Sequence, residues 1–453
     1  MESHTTTWKI HNIKKQTKRA ALLQVIKSHL EHENFTLSFK DNKRLAILIT
    51  LEDQLPSIVF CNRPLDIRKQ KSEERSVKDI VTPLNGMTYE EQLAHKTAKV
   101  SDFCSFLNCS EIESISSPME TGYRNKCEFT FGFTGEGKQV LGFRPAKFSS
   151  APNLIADPME CTFNTPPEML SLVEKINGYL DKNDGLVYNR ITKKGLLRLL
   201  CLRRIGKHFI SILQVNTETF EEALNSQLIT DFIKILSEDA FITCSTGIFD
   251  GLLRTAEIKQ VKGEPKEYEE VLNNCTFKVF PLGFFQVNLG VAELLTRTIQ
   301  KSIQTETILD ICSGSGLLGI CTAKGTEKKV FGMEISQESI EDAKRNALIN
   351  DVSAEYFCGS VEKTLPLVLA KVKETASALV DPPRAGISDK LVNEIISHKN
   401  ISEIFYISCS YTSVKNNLLN ISSKYALKKI YVLDMFPFTA DVECIFHFVR
   451  KED

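Results

Sequence analysis

ILDICSGSG, residues 308 to 316, is an apolar run that carries one acid, Asp310, and ends in two closely spaced glycines, Gly314 and Gly316. Such a run reads as a strand entering a tight turn at which the backbone can approach a ligand. A second run, KVFGMEIS at 329–336, ends in Glu334, 24 residues after Asp310. An acid there can accept both ribose hydroxyls of an adenosine moiety. No Lys-Ser or Lys-Thr pair follows the glycines, so this is not a phosphate loop. Asp310 would oppose an incoming phosphate and suits a cofactor bearing a sulfonium and an ammonium, which favours S-adenosylmethionine over a dinucleotide.

Working outward, strand-like runs at Ile308–Ile311, Val330–Met333, Glu355–Cys358, Ala378–Val380 and Ile404–Ser408 alternate with helix-period stretches such as Ser336–Asn350. That alternation predicts an α/β, Rossmann-like domain with a mostly parallel sheet over 288–453, ligands at the carboxyl ends of its strands, and two edge strands near Lys429–Leu433 and Cys444–Val449. Residues 80–287 are richer in strand signals, including the hairpin LLRLLCLRRI, Gly206, KHFISILQV, and read as a β-rich central domain. A charged linker is expected at 71–79, within the dense stretch Asp66–Asp79. Residues 6–70 read βαββ, similar to an RNA-recognition motif, although Lys9, Leu45 and Ile47 stand where that family stacks bases on aromatics.

Composition fits a soluble globular chain of about three domains: 42% of residues are hydrophobic and 25% charged, and no run of 18 apolar residues offers a membrane span. Lys and Arg (56) nearly balance Asp and Glu (57), so only local clusters can argue for nucleic acid. Thirteen irregularly spaced cysteines favour a reducing compartment. A cytoplasmic location is expected, with the nucleus as an alternative. The early Lys9, Lys14, Lys15, Lys18 and Arg19 raise a mitochondrial one, against which Trp8–Ile13 already reads as a strand.

Three further motifs fall at the same sheet edge. LVDPPRAGI (379–387) places Asp381 at a strand end, and its two prolines impose a rigid loop that projects Arg384. FYISCS (405–410) puts Cys409 at the end of the fifth strand; a lone cysteine is usually an inert buried thiol, but one above a cofactor cleft can be a nucleophile. LDMFPFTADVECIF (433–446) sets Glu443 just before an apolar strand, behind a Pro437-Phe438-Thr439 turn.

These motifs, with PLGFFQVN (281–288), TGYRNKCEFTFG (121–132) and VTPLNGMTYEEQL (81–93), resemble the RNA uracil-5-methyltransferase family, and in particular its animal cytosolic tRNA branch. The resemblance implies a class I methyltransferase domain, S-adenosylmethionine as cofactor, and a tRNA partner whose T-loop uridine 54 becomes 5-methyluridine. It implies that Gln286, the backbone around Ile311 and Cys312, Glu334 and Asp381 hold the cofactor. Cys409 then matches the family nucleophile, Glu443 its general base, and Arg384 assists at the uracil. The chain departs from the family pattern at Cys312, Leu317 and Ser410-Tyr411. Alternatives are ribosomal or mitochondrial RNA as substrate, a non-catalytic RNA-binding factor, and a cytosine-5-methyltransferase, against which Asp381-Pro382-Pro383-Arg384 stands where that family has a second cysteine.

Residues 190–207 carry Arg190, Lys193, Lys194, Arg198, Arg203, Arg204 and Lys207 without an acid, and with Arg124 and Lys126 are expected to contact RNA phosphates. Cys104, Cys109, Cys127 and Cys161 lack iron–sulfur spacing, so no metal is expected. A monomer without membrane contact completes the expectation.

Overall fold

The computed structural model of the chain describes residues 6–11, 19–30, 35–39, 46–50, 55, 58–60, 63–69, 77–107, 109, 111–145, 148, 151–158, 163–247, 251–253 and 255–452. Leu45, Cys161 and most of the expected linker, 71–76, lie outside the described residues.

An eight-stranded sheet dominates the C-terminal half, in the order Ala354–Cys358, Lys329–Glu334, Thr307–Ile311, Ala376–Val380, Ile401–Ser408, Glu443–Arg450, Tyr425–Leu433, Ile112–Ile115. The first five strands are parallel, and Glu443–Arg450 runs antiparallel to both its neighbours. The inner strands are apolar on both faces because helices cover both sides, as parallel sheets require. Ile308, Val330 and Leu379 pack with Leu295, Ile299 and Ala343 on one face. Leu309, Phe331 and Ala378 pack with Leu365, Leu391 and Ile395 on the other. The helix Gln337–Ile349 begins at Ser336, whose side chain accepts the Ser339 amide at 3.3 Å. The eighth strand, Ile112–Ile115, comes from the region read as the central domain and pairs in parallel with Tyr425–Leu433.

The central region forms a six-stranded sheet ordered Lys259–Lys262, Asp239–Cys244, His208–Val215, Leu197–Ile205, Lys126–Phe133, Gln139–Gly142. Its core is continuous with one face of the C-terminal sheet, since Leu199, Cys201, Ile210 and Ile212 share a cluster with Ile308 and Leu379. The hairpin Glu269–Leu272 and Cys275–Lys278 is pinned to the end of the helix Gln337–Ile349: the amides of Thr276 and Lys278 donate to the side chains of Asn350 and Asn346 at 2.8 and 2.9 Å. The N-terminal strands order as Thr36–Phe39, Ala46–Thr50, Thr6–His11, Asp66–Lys69 around a separate core of Trp8, Ile10, Leu22, Ile26 and Leu48. Asp66–Lys69, where the dense charged stretch begins, is thus a strand with Ile67 opposite Ile10, and that stretch ends in a short helix, Val77–Val81.

The expected basic hairpin is corrected by burial. Arg198 is 0% exposed and Arg203 2%, and Arg190 is also buried. None of the three can reach a phosphate in this fold. Arg190 donates to the carbonyls of Phe131, Tyr188 and Arg198. Arg198 donates to those of Ser245 and Gly247. Arg203 donates to Phe280, Pro281 and Gly283, at 3.2, 2.8 and 2.6 Å. A guanidinium presents five donors in a fixed fork, so one arginine can satisfy several orphan carbonyls of an irregular loop. Lys193, Lys194, Arg204 and Lys207 stay exposed, and Arg204 pairs with Glu168. Arg203→Ala is therefore expected to cost about 2–4 kcal/mol of unfolding free energy, by stranding buried carbonyls. Lys193→Ala is expected to change stability by less than about 0.5 kcal/mol; denaturant titration of both variants compares them, and equal effects would contradict the assignment.

Candidate active site

The parallel strands deliver Ile311, Glu334, Val380 and Ser408 to one edge, and the loops beyond them carry the reactive groups. The first turn is unusual because Cys312, which has a β-carbon, adopts φ 63°, followed by Gly314 at 54° and Gly316 at 83°. Left-handed backbone costs a non-glycine residue about 1–2 kcal/mol. The turn is held by Ser313 N–H donating to Met333 O at 3.0 Å and Gly314 N–H donating to Glu334 Oε2 at 3.1 Å. Glu334 Oε1 in turn accepts the amides of Ile335 and Ser336 at 2.8 and 3.0 Å. Its carboxylate thus knits the ends of two adjacent strands.

Asp310 is fully buried beneath this turn. Its Oδ2 accepts the Gly319 amide at 3.0 Å, while Oδ1 has no hydrogen-bond partner among the described residues. Burial pushes its carboxyl up to about 7, with the negative charges of Asp381 and Glu334 adding to the rise. A β-carbon on Gly319 would lie 2.7 Å from Asp310 Oδ2, so only glycine lets the helix Leu317–Ala323 start this close. Asp381 donates its amide to Ile311 O at 3.3 Å and keeps part of its surface open, yet its surroundings push its carboxyl up to about 7 as well.

Gln286 belongs to the turn that Arg203 anchors through Phe280, Pro281 and Gly283. Asn125 Nδ2 donates to Gln286 O at 2.8 Å, and the Asn125 amide donates to Val287 O at 2.9 Å. Asn288 caps the helix Leu289–Ser302 and also donates to Met435 O at 3.2 Å, so the Gln286 turn and the loop before Glu443 are fastened together.

Cys409 is half-buried after the strand Ile401–Ser408, and Glu443 is buried at the start of the neighbouring antiparallel strand, whose next residue Cys444 pairs with Ser408. Burial raises the Cys409 thiol above its usual range and Glu443 raises it further, while a hydrogen bond from Arg384 works the other way. Glu443 is itself held well above the ordinary carboxyl range by burial, with Asp381 adding to the rise. Burial pushes the Cys312 thiol up to about 12, so it is a poor rival nucleophile at neutral pH.

All seven residues singled out from the sequence, Gln286, Ile311, Cys312, Glu334, Asp381, Cys409 and Glu443, are carried by this edge or the loops beside it. Sequence reasoning missed the groups that hold them. Lys96 Nζ donates to Asp434 Oδ1 at 2.6 Å in a buried ion pair, and Tyr123 Oη donates to Pro437 O at 3.1 Å. The one available signal is that Gln92, Lys96, Val100 and Cys104 recur at helical spacing on a buried face, two of them polar.

The cleft suits a cationic adenosine cofactor. Its convergent charges are acidic, Asp310 keeps an orphan oxygen beneath it, and nothing lies within 4 Å of where a β-carbon on Gly314 would sit.

A family model described as tRNA (uracil-5-)-methyltransferase matches residues 272–451. The chain is 27% identical over 441 residues to tRNA (uracil-5-)-methyltransferase homolog A of Mus musculus, covering 85% of this chain and 72% of that one. It is 30% identical over 376 residues to an uncharacterized RNA methyltransferase of Caldanaerobacter subterraneus, covering 79% of this chain and 80% of that one. Its fold matches the crystal structure of Pyrococcus abyssi tRNA (uracil-54, C5)-methyltransferase in complex with S-adenosyl-L-homocysteine, with a TM-score of 0.64 at 24% identity over 87% of this chain and 92% of that one.

The raised carboxyls at Asp310 and Asp381 have a consequence for stability. Unfolded aspartate titrates near pH 3.9, so between about pH 4 and 7 the folded protein holds protons that the unfolded chain has lost. Stability contributed at these two sites therefore falls as pH rises through that window and levels off above it. Asp310→Asn, which preserves an oxygen for the Gly319 amide, is expected to flatten the fall in unfolding temperature between about pH 5 and 7. An unchanged slope would contradict the placement of Asp310.

Proposed function

The chain belongs to the tRNA (uracil-5-)-methyltransferase family, and from that premise we propose that it methylates carbon 5 of the T-loop uridine 54 of tRNA, using Cys409 as nucleophile and Glu443 as base. Its cofactor is S-adenosylmethionine, which supplies an electrophilic methyl group on a sulfonium. Glu334 would take the ribose hydroxyls, and Gln286, Asp381 and the backbone around Ile311 and Cys312 would surround the rest of the cofactor. The observation that carries the reading is the meeting of Cys409, Arg384, Glu443 and Asp381 at the edge where the glycine turn opens.

Carbon 5 of uracil is a weak nucleophile. Addition of the Cys409 thiolate to carbon 6 forms a C–S bond and moves the ring π electrons onto O4, giving an enolate. Carbon 5 would then take the methyl group and become tetrahedral, the methyl–sulfur bond breaking to leave S-adenosylhomocysteine as a neutral thioether. Glu443, as carboxylate, removes the remaining proton from carbon 5, the 5,6 double bond reforms and the C–S bond breaks, returning Cys409. Arg384 assists the first step by favouring the thiolate. A carboxyl raised by burial and by Asp381 is a stronger base once ionised.

A stacked uridine cannot reach Cys409, so the base must be flipped out at a cost of a few kcal/mol. The exposed Lys193, Lys194 and Lys207 remain suited to phosphate contact. The N-terminal sheet is read as an RRM-like accessory module.

The test is transfer of labelled methyl from S-adenosylmethionine to unmodified tRNA, followed by nucleoside analysis. The expected outcome is label in 5-methyluridine, reduced more than about 10⁴-fold by Cys409→Ala. Transfer that survives the substitution, or label in another nucleoside, would remove this mechanism.

A further inference from the structure

The helix Tyr89–Cys104 stands outside the alternating strand–helix region, yet it touches both loops that carry the chemistry. Toward its start, Lys96 Nζ donates to Asp434 Oδ1 at 2.6 Å and to Phe436 O at 3.0 Å, and Gln92 Oε1 accepts the Phe438 amide at 2.8 Å. Phe438 sits at φ 66°, a conformation a large side chain adopts only when its surroundings impose it. Gln92 and Lys96 are both buried, and Leu84 N–H donates to Phe438 O at 3.0 Å beside them. These bonds fix the turn that leads into Glu443.

At the other end of the helix, Phe103 meets Tyr411 edge to face, with ring centroids 5.3 Å apart and planes at 69°. Phe106 packs on Phe103 at 5.7 Å, and Lys415 Nζ lies 4.9 Å from the Phe106 ring centre. Tyr411 is two residues past Cys409, in a turn tied by Ser410 N–H to Ser408 Oγ at 3.1 Å and by the Ser410 and Ser413 hydroxyls at 2.8 Å. A helix rises 1.5 Å per residue, so Lys96 and Phe103 are held about 10 Å apart along its axis.

We propose that this helix is a rigid spacer for the reaction, with Gln92 and Lys96 as positioning residues for Glu443, and Phe103, through Tyr411, as the positioning residue for Cys409. The proposal rests on Cys409 and Glu443 having the roles given above. It predicts that the two ends fail at different steps. A misplaced base leaves carbon 5 protonated after methyl transfer, so the C–S bond cannot break and a methylated protein–RNA adduct persists in denaturant. A misplaced nucleophile prevents that adduct from forming.

The experiment uses the full chain with unmodified tRNA and labelled S-adenosylmethionine, following turnover, KM for tRNA and the fraction of protein in denaturant-stable labelled adduct. Gln92→Met and Tyr411→Leu are each expected to lower kcat by about tenfold to a hundredfold with KM nearly unchanged. Adduct should rise above the unaltered protein in the first and fall below it in the second. Tyr411→Phe, which keeps the ring, should restore turnover. If Gln92→Met does not fold, Lys96→Arg, which keeps the charge beside Asp434 but displaces the bond to Phe436, reads the same step. Equal adduct levels in the two variants, or a Tyr411→Phe protein as slow as Tyr411→Leu, would overturn the spacer. Methyl transfer that persists in Cys409→Ala, run alongside, would instead overturn the roles on which it rests.

Discussion

Four carboxyls, those of Asp310, Glu334, Asp381 and Glu443, are drawn to one edge of a sheet that is covered on both faces, and the remaining features of the site answer that electrostatic constraint. Burial in such surroundings opposes ionisation, so Asp310 and Asp381 are pushed to about 7 and Glu443 higher than the ordinary range. Backbone amides satisfy part of the negative charge: Gly314, Ile335 and Ser336 for Glu334, Gly319 for Asp310. The unsatisfied remainder is an acidic edge matched to a cation. A methyl donor with sulfonium and ammonium charges supplies it, and a phosphate would not.

Holding such groups in place falls to residues that never face the cleft. Arg203 spans the turn before Gln286, Asn288 joins that turn to the loop ahead of Glu443, and Lys96 fastens the same loop through Asp434. A buried ion pair of this kind gives little net stability, because desolvation of both charges offsets their attraction. Removing one partner would nevertheless leave the other charge uncompensated in the interior.

Much of this was legible in the chain. The strands at 308–311, 330–333, 355–358, 378–380 and 404–408 are short apolar runs, because parallel strands bury both faces, and the structure extends each by only a few residues. That Glu334, Asp381 and Cys409 fall at one edge was legible for a related reason: the carboxyl ends of parallel strands lie together. Three arginines were misread because a run without acids looks like a phosphate surface, whereas Arg198 and Arg203 lie on a strand packed on both faces and Arg190 lies just before it, and all three guanidiniums donate to backbone carbonyls. The edge strand Ile112–Ile115 and the pairing of Lys96 with Asp434, 338 residues apart, escaped because no local pattern encodes a partner that distant.

The most direct measurement of the central claim is trapping with tRNA that carries 5-fluorouridine, whose fluorine cannot leave carbon 5 as a proton does. With S-adenosylmethionine present, the reaction should stop as a covalent complex, and peptide mass analysis should find the methylated fluorouridine on the peptide containing Cys409. No covalent complex, or attachment at another cysteine such as Cys312 or Cys444, would contradict the account.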